Sequence, residues 1–232
     1  MEADLRGTQD EPEGTLRVLV PHAFGQEHLI TPLSDYLGRY PRVSVEWMLH
    51  DRRPDFIAEG IDCAIQVGVV DNPSVVAIKL FDVPRIVVAA PHLLQDKSLS
   101  LQVEDLHALP WLSFSTFYHD QVTLTRQSDG VEHQFRIQPR MSTDSLYALR
   151  TAALRGLGAG IVSAWLIADD VAQGRLLHLV PEWRAPPMPV YLVYPHARYY
   201  PARLRLFLET IRAIQPLGPV SYTHLTLPTT PY

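Results

Sequence analysis

Ten histidines, 25 acidic residues and one cysteine give this 232-residue chain most of the groups that catalysis or metal binding uses, but their spacing builds none of the usual devices. A helix-borne metal site needs two ligands four residues apart on one face. His22 and His28, the closest histidines on one predicted element, do not have that spacing and read as solvated or satisfied side chains. Asp169-Asp170 would suit paired-carboxylate chemistry, yet it falls just inside a helix predicted over 166–173, where negative charge near the N-terminal half is stabilising. A solvated helix face is the simpler reading. Gly158-Ala159-Gly160 has the composition of a phosphate loop in the wrong order, because it follows a helix and precedes a strand, whereas a phosphate cradle aims a helix N-terminus at the anion. It reads as a helix stop with tight packing. Arg52-Arg53 and Arg203-Leu204-Arg205 are too small for a nucleic-acid footprint, and the net charge of −5 gives the chain no overall attraction to phosphate backbones. Cys63 lies in an apolar run and reads as packing; a single cysteine excludes an internal disulfide and suits a reducing compartment.

A binding protein accounts for the pattern better than an enzyme. In α/β lobes, ligands sit beyond the carboxyl ends of strands, where loops meet helix N-termini. Two such places stand out: residues 21–25, with His22, Ala23 and Phe24, and residues 142–145, with Thr143. Unpaired backbone N–H groups and positive helix ends there favour an anionic or strongly polar ligand. For Ser142, Thr143 and Ser145, plain helix capping competes with ligand contact.

The elements that would position these loops alternate between strand and helix, which argues for an α/β architecture. Leu16 to Val20 is strand-like and ends at Pro21, and residues 25–40 carry Leu29, Leu33, Tyr36, Leu37 and Tyr40 at helical spacing. Val43, Val45, Trp47 and Leu49 alternate as a second strand, a short helix is expected over Pro54 to Glu59 with Gly60 as its stop, and Cys63 to Val67 follows as a third strand. Arg85 to Ala90 is apolar enough for a strand buried on both faces, with a helix starting at Pro91. Further strands are expected at Trp111 to Phe114 and Ala159 to Ser163, with a hairpin turn at Asp129-Gly130. Ser142, Thr143 and Asp144 offer N-caps for a helix bearing Leu146, Leu149, Ala153 and Leu157, and Pro201 to Ile214 closes the chain as an amphipathic helix. With 47% hydrophobic residues the chain can fill a large core or two ordinary ones, and no stretch approaches the roughly 18 apolar residues of a membrane span.

Four segments carry a family resemblance. They are residues 14–47, opening GTLRVLVPHAFG; Gly60-Ile61-Asp62-Cys63-Ala64-Ile65; the helix ending in Gly156-Leu157-Gly158; and the run from Asp169-Asp170 through Gly174-Arg175-Leu176 to the strand closing on Tyr194-Pro195. Together they resemble the effector-binding domain of LysR-type transcriptional regulators over nearly all of Gly14 to Pro216. The resemblance implies two Rossmann-like lobes with a double crossover, the type 2 periplasmic-binding-protein-like fold. Residues 16–87 and 190–216 would form the first lobe and 88–189 the second. It implies a ligand-sensing domain, not an enzyme, that needs no cofactor or metal and binds a small effector between the lobes. Such a domain is cytoplasmic, forms homo-oligomers, has no membrane partner, and contacts DNA only through a separate N-terminal domain. Position by position, it adds His50, Asp51, Gln66, Val67, Gly68, Phe114, Ser115 and Ser163 to the cleft wall. Many relatives carry arginine where Gln66 stands, and often proline where Ser163 stands. A solute-binding transport protein shares the fold and is the alternative.

Both ends of the chain look foreign to that domain. Residues 1–15 resemble only the last turns of the family's linker helix, so the winged helix-turn-helix is expected to be missing. Residues 217–232 read as a non-native tail, because Pro219 to Thr230 permits a back-translation containing the mosaic-end sequence of transposase library adapters.

Overall fold

The computed structural model describes residues 11–94 and 101–214. The linker-like residues up to 10 and the tail over 217–232 lie outside the described residues. The first strand, β1 (Gly14–Val20), lies between two parallel neighbours, β2 (Val43–Leu49) and β3 (Cys63–Val67). Parallel pairing of β1 with β2 requires a crossover, supplied by α1 (His22–Gln26) and α2 (Ile30–Arg39).

The single helix expected over residues 25–40 is thus two helices. An unbroken helix would hold Pro32 in its interior, its ring against the His28 carbonyl; restarting at Ile30 leaves Pro32 in a first turn, where its missing N–H costs nothing. The break is closed by the Leu29 N–H, which donates to the Phe24 carbonyl at 3.0 Å. The expected helix at Pro54 to Glu59 is only a turn. Asp55 Oδ1 accepts from the Ala58 N–H at 3.0 Å, and Gly60 takes φ +60 to end it.

After β3 the chain enters β4 (Val75–Ala89), of which the apolar run from Arg85 is only the second half. The first half alternates with outward polar residues, where Lys79 pairs with Asp82 at 2.8 Å, so it lacks a continuous apolar signature. The chain then forms α3 (Pro91–Leu94), a 3-10 turn over Val103–Ala108, β5 (Trp111–Phe114), the β6 (Gln121–Arg126) and β7 (Glu132–Arg136) hairpin, and β8 (Pro139–Thr143). Next come α4 (Leu146–Leu154), β9 (Gly160–Ser163), a 3-10 turn over Ala164–Ile167, α5 (Ala168–Ala172) and β10 (Leu177–His178). The long β11 (Trp183–Pro195) returns antiparallel to β4, and α6 (Ala202–Arg212) closes the described chain.

β4 and β11 run side by side through both halves of the molecule and carry it from one hydrophobic core to the other. Phe81 and Val83 belong to the first core and Ile86 and Val87 to the second; on β11, Ala185 belongs to the second and Val190 to the first. In the first lobe, α2 and α6 cover one sheet face through Leu33, Tyr36, Phe207 and Ile211, and the Tyr36 hydroxyl donates to the Arg203 carbonyl at 2.6 Å. Cys63 is fully buried in that core. In the second lobe, the buried Tyr118 hydroxyl donates to the Leu112 carbonyl at 2.8 Å and accepts from the Ile161 N–H at 2.9 Å, tying β5 to β9.

Three local expectations need correction. None of Ser142, Thr143 or Asp144 caps α4: Ser145 does, its Oγ accepting from the Ala148 N–H at 3.3 Å, while Thr143 Oγ1 accepts from the Ser145 N–H at 3.1 Å. Leu157 lies beyond the helix and is 41% exposed. Asp170 is no solvated residue. Its carboxylate has no exposed area and accepts from Arg150 Nε and from Arg175 Nη2, each at 2.6 Å, while Asp169 alone faces solvent. The helical period could not separate two adjacent aspartates, because their roles depend on arginines 20 and 5 residues away.

Gly158 supplies a test of the tight-packing reading. A Cβ there would lie 2.8 Å from the Pro110 carbonyl oxygen and 3.0 Å from the Trp111 carbonyl carbon, both backbone atoms of the β5 edge. Gly158→Ala is therefore expected to destabilise the protein by about 1–3 kcal/mol through overpacking. Urea unfolding measures it, and an unchanged midpoint would show that β5 can shift away freely.

Candidate functional site

The lobes enclose a cavity of about 490 Å³ where the crossover strands pass between them. The first lobe contributes Ala23 and Phe24 from α1, Asp51 from the loop after β2, and Gln66, Val67 and Gly68 from the end of β3. The second contributes Phe114, Phe117, Leu146, Ile161 and Ser163. Val83, Arg85, Met188 and Pro189 line it from the crossover strands themselves.

Most of the residues singled out in the sequence meet on this cavity, but three do not. His22 lines a neighbouring, more polar hollow at the cleft mouth with Asp144 and Tyr147, and His50 and Asp51 border both spaces. Ser115 and Thr143 line neither: the Ser115 N–H donates to the Thr143 carbonyl at 2.9 Å, and the Thr143 hydroxyl is engaged in the turn before α4. Both are thus engaged in the connection between β8 and α4 and the strand beside it. Ala23 is also less of a loop residue than its sequence position suggests, being 6% exposed within α1.

The residue that sequence reasoning passed over is Arg85. It is 9% exposed, and Nε donates to the Pro186 carbonyl at 2.9 Å. No carboxylate pairs with it among the described residues, and its two terminal nitrogens make no hydrogen bond there. Burial lowers its pKa to about 10, with the nearby Tyr118 acting slightly in the other direction, so the group stays protonated at neutral pH. The only signal was a lone charge opening an otherwise apolar strand, a position usually filled by an apolar residue when both faces are covered. Ser163 stands directly across from Arg85 in the β4–β9 ladder, so both side chains leave the same face of the sheet.

The other charges on the cavity wall are already engaged. Arg52 is paired with Glu59, and Arg53 with Asp71 at 2.7 Å. Asp51 accepts from the His22 N–H at 3.1 Å; burial raises its pKa despite that bond. Gln66 donates to the Val69 carbonyl at 2.8 Å. No group of three or more histidine, cysteine, aspartate or glutamate side chains placed to hold a metal occurs among the described residues.

Two contacts join the lobes beside the cavity. The Tyr147 hydroxyl, on α4, donates to Glu27 Oε1 at 2.7 Å. Trp165, in the 3-10 turn after β9, reaches into the first lobe, stacking on Phe24 with ring centroids 5.5 Å apart and meeting the His28 ring edge-on at 4.3 Å.

Two α/β lobes joined by paired crossover strands around an interlobe cavity define a type 2 periplasmic-binding-protein-like sensing domain. Residues 9–215 match the LysR substrate binding domain, and the chain belongs to that family. It is similar to the HTH-type transcriptional regulator PtxR of Pseudomonas aeruginosa, with 32% identity over 90% of this chain and 67% of that protein. To the HTH-type transcriptional activator AaeR of Escherichia coli the identity is 26%, over 89% of this chain and 67% of the relative. Among solved structures, the regulatory domain of CrgA from Neisseria meningitidis superposes with a TM-score of 0.71 at 26% identity, covering 87% of this chain and 98% of that one. The full-length Vibrio cholerae virulence activator AphB gives a TM-score of 0.75 at 22% identity, over 87% of this chain and 69% of that one. The chain is therefore the effector-binding domain of a transcriptional regulator and not an enzyme. No helix among the described residues is long and apolar enough to cross a membrane.

Proposed function

We propose that this domain senses a small anionic or strongly polar effector in the cavity between its lobes and passes the signal on as a change in their relative pose. The observation that carries the reading is Arg85: a buried guanidinium facing a cavity without a counter-ion is costly unless something brought into the cavity pairs with it. The effector shifts the balance of poses only by its differential affinity for them, and the cavity wall is suited to that because residues of both lobes form it. In the whole regulator the domain works in a cytoplasmic homo-oligomer whose DNA contacts are made by a separate N-terminal domain.

The test is to close the cavity without disturbing a core. Val69 sits on its rim and is 70% exposed, so Val69→Trp adds a large ring where substitution costs little. In a thermal-shift panel of small carboxylates, phosphates and polyols, compounds that stabilise the wild type are expected to have no effect on the variant. The unliganded midpoint should move by less than about 2 °C. A compound that stabilises both proteins equally binds elsewhere and defeats the proposal.

A further inference from the structure

We infer that the effector is a monocarboxylate with an apolar body of about the size of one aromatic ring, its carboxylate held between the Arg85 guanidinium and the Ser163 hydroxyl; this rests on the effector-sensing reading above. The acid group follows from a count of charges. Arg85 is the one cation on the cavity wall without an anionic partner among the described residues, since Arg52 and Arg53 are bound to Glu59 and Asp71. The two free terminal nitrogens of a guanidinium match the two oxygens of a carboxylate. Ser163, directly across the ladder from Arg85, adds a hydroxyl donor on the same face. A second acid group on the ligand would find no free cation, and Asp51 in the same lining would repel it. A phosphomonoester, with nearly two charges at neutral pH, would face the same shortage.

The body follows from the rest of the lining. Phe24 and Val67 from the first lobe, Phe114 and Phe117 from the second, and Val83 and Met188 from the crossover strands offer carbon surface and no unengaged charge. His50, Asp51, Gln66 and Thr116 add only a few polar side chains to that lining, so a polyol or sugar acid would leave most of its hydroxyls without partners, which penalises it. A cavity of about 490 Å³ holds a ring-sized acid with room for small substituents.

Isothermal titration of the full chain with phenylacetate, its neutral isostere phenylacetamide, succinate and inorganic phosphate tests the assignment. Phenylacetate is expected to bind at least about tenfold more tightly than each of the other three. Arg85→Gln should weaken phenylacetate at least about thirtyfold while moving phenylacetamide by less than about threefold, a split that a merely structural arginine would not produce. Should Arg85→Gln fail to fold, Arg85→Lys keeps the charge without the fork and is expected to weaken phenylacetate about tenfold. Three results would overturn the inference: no phenylacetate binding at about 10 mM, tighter binding of succinate or phosphate than of phenylacetate, or equal losses for acid and amide on changing Arg85. Val69→Trp keeps the two proposals apart. If compounds of any class lose binding in that variant, the cavity remains the sensor even when the monocarboxylate assignment has failed; if every compound binds it as well as wild type, the sensing site itself is misplaced.

Discussion

Asp170→Ala is expected to unfold with a loss of about 2–4 kcal/mol, below the top of the range for a broken buried ion pair because both guanidiniums still reach solvent. Arg150 and Arg175 retain 29% and 46% of their side-chain exposure, whereas the aspartate retains none. Four hydrogen bonds from the two arginines converge on this one carboxylate, joining α4, α5 and the loop before β10, so its removal unties three elements of the second lobe. Chemical denaturation at neutral pH measures the loss, and a change below about 1 kcal/mol would reduce the cluster to the standing of a surface ion pair. Its pH dependence has a definite sign. Burial alone would raise the Asp170 pKa, but the hydrogen bonds from Arg150 and Arg175 outweigh it and hold the pKa below the ordinary carboxylate value. The contribution is therefore complete above the unfolded value of about 3.9 and fades as the pH falls through the lowered folded value.

Trp165→Ala should cost about 3 kcal/mol and, unlike Asp170→Ala, should also weaken the coupling between the lobes. The side chain belongs by sequence to the second lobe yet packs against the first core, between Phe24 and His28. Removing it leaves a gap where a side chain from the turn after β9 packs into the first core beside the cavity. Differential scanning calorimetry is expected to show a midpoint lower by about 6–12 °C and a broadened transition, as the two lobes begin to unfold separately. A sharp transition at the wild-type temperature would mean that Trp165 adds nothing to the coupling supplied by β4, β11 and the Tyr147–Glu27 bond.

Periodicity made the regular elements legible wherever one face meets a core, as in β2 or α6. It failed where a distant partner decides. The helical spacing of Leu29, Leu33 and Tyr36 describes one continuous helix, which the ring of Pro32 between them forbids. The first half of β4 went unread because Lys79 and Asp82 interrupt its apolar pattern, and the interruption matters little once β11 supplies the ladder. At the site, the family resemblance brought Asp51, the end of β3, Phe114 and Ser163 to one cavity, since backbone topology fixes those positions. Arg85 stayed hidden because its distinction is the lack of a partner, which no sequence displays.

If Arg85 anchors the effector as proposed, its position on a crossover strand separates grip from message. A group held at the pivot of a hinge is held about equally in every pose, so the charge contact supplies affinity with little preference between poses. Preference must come from the part of the ligand that touches Phe24 and Val67 on one side and Phe114 and Phe117 on the other. On that assignment, an acid too short to span the gap would hold the anchor and shut out the true effector without setting the pose, and so would act as an antagonist.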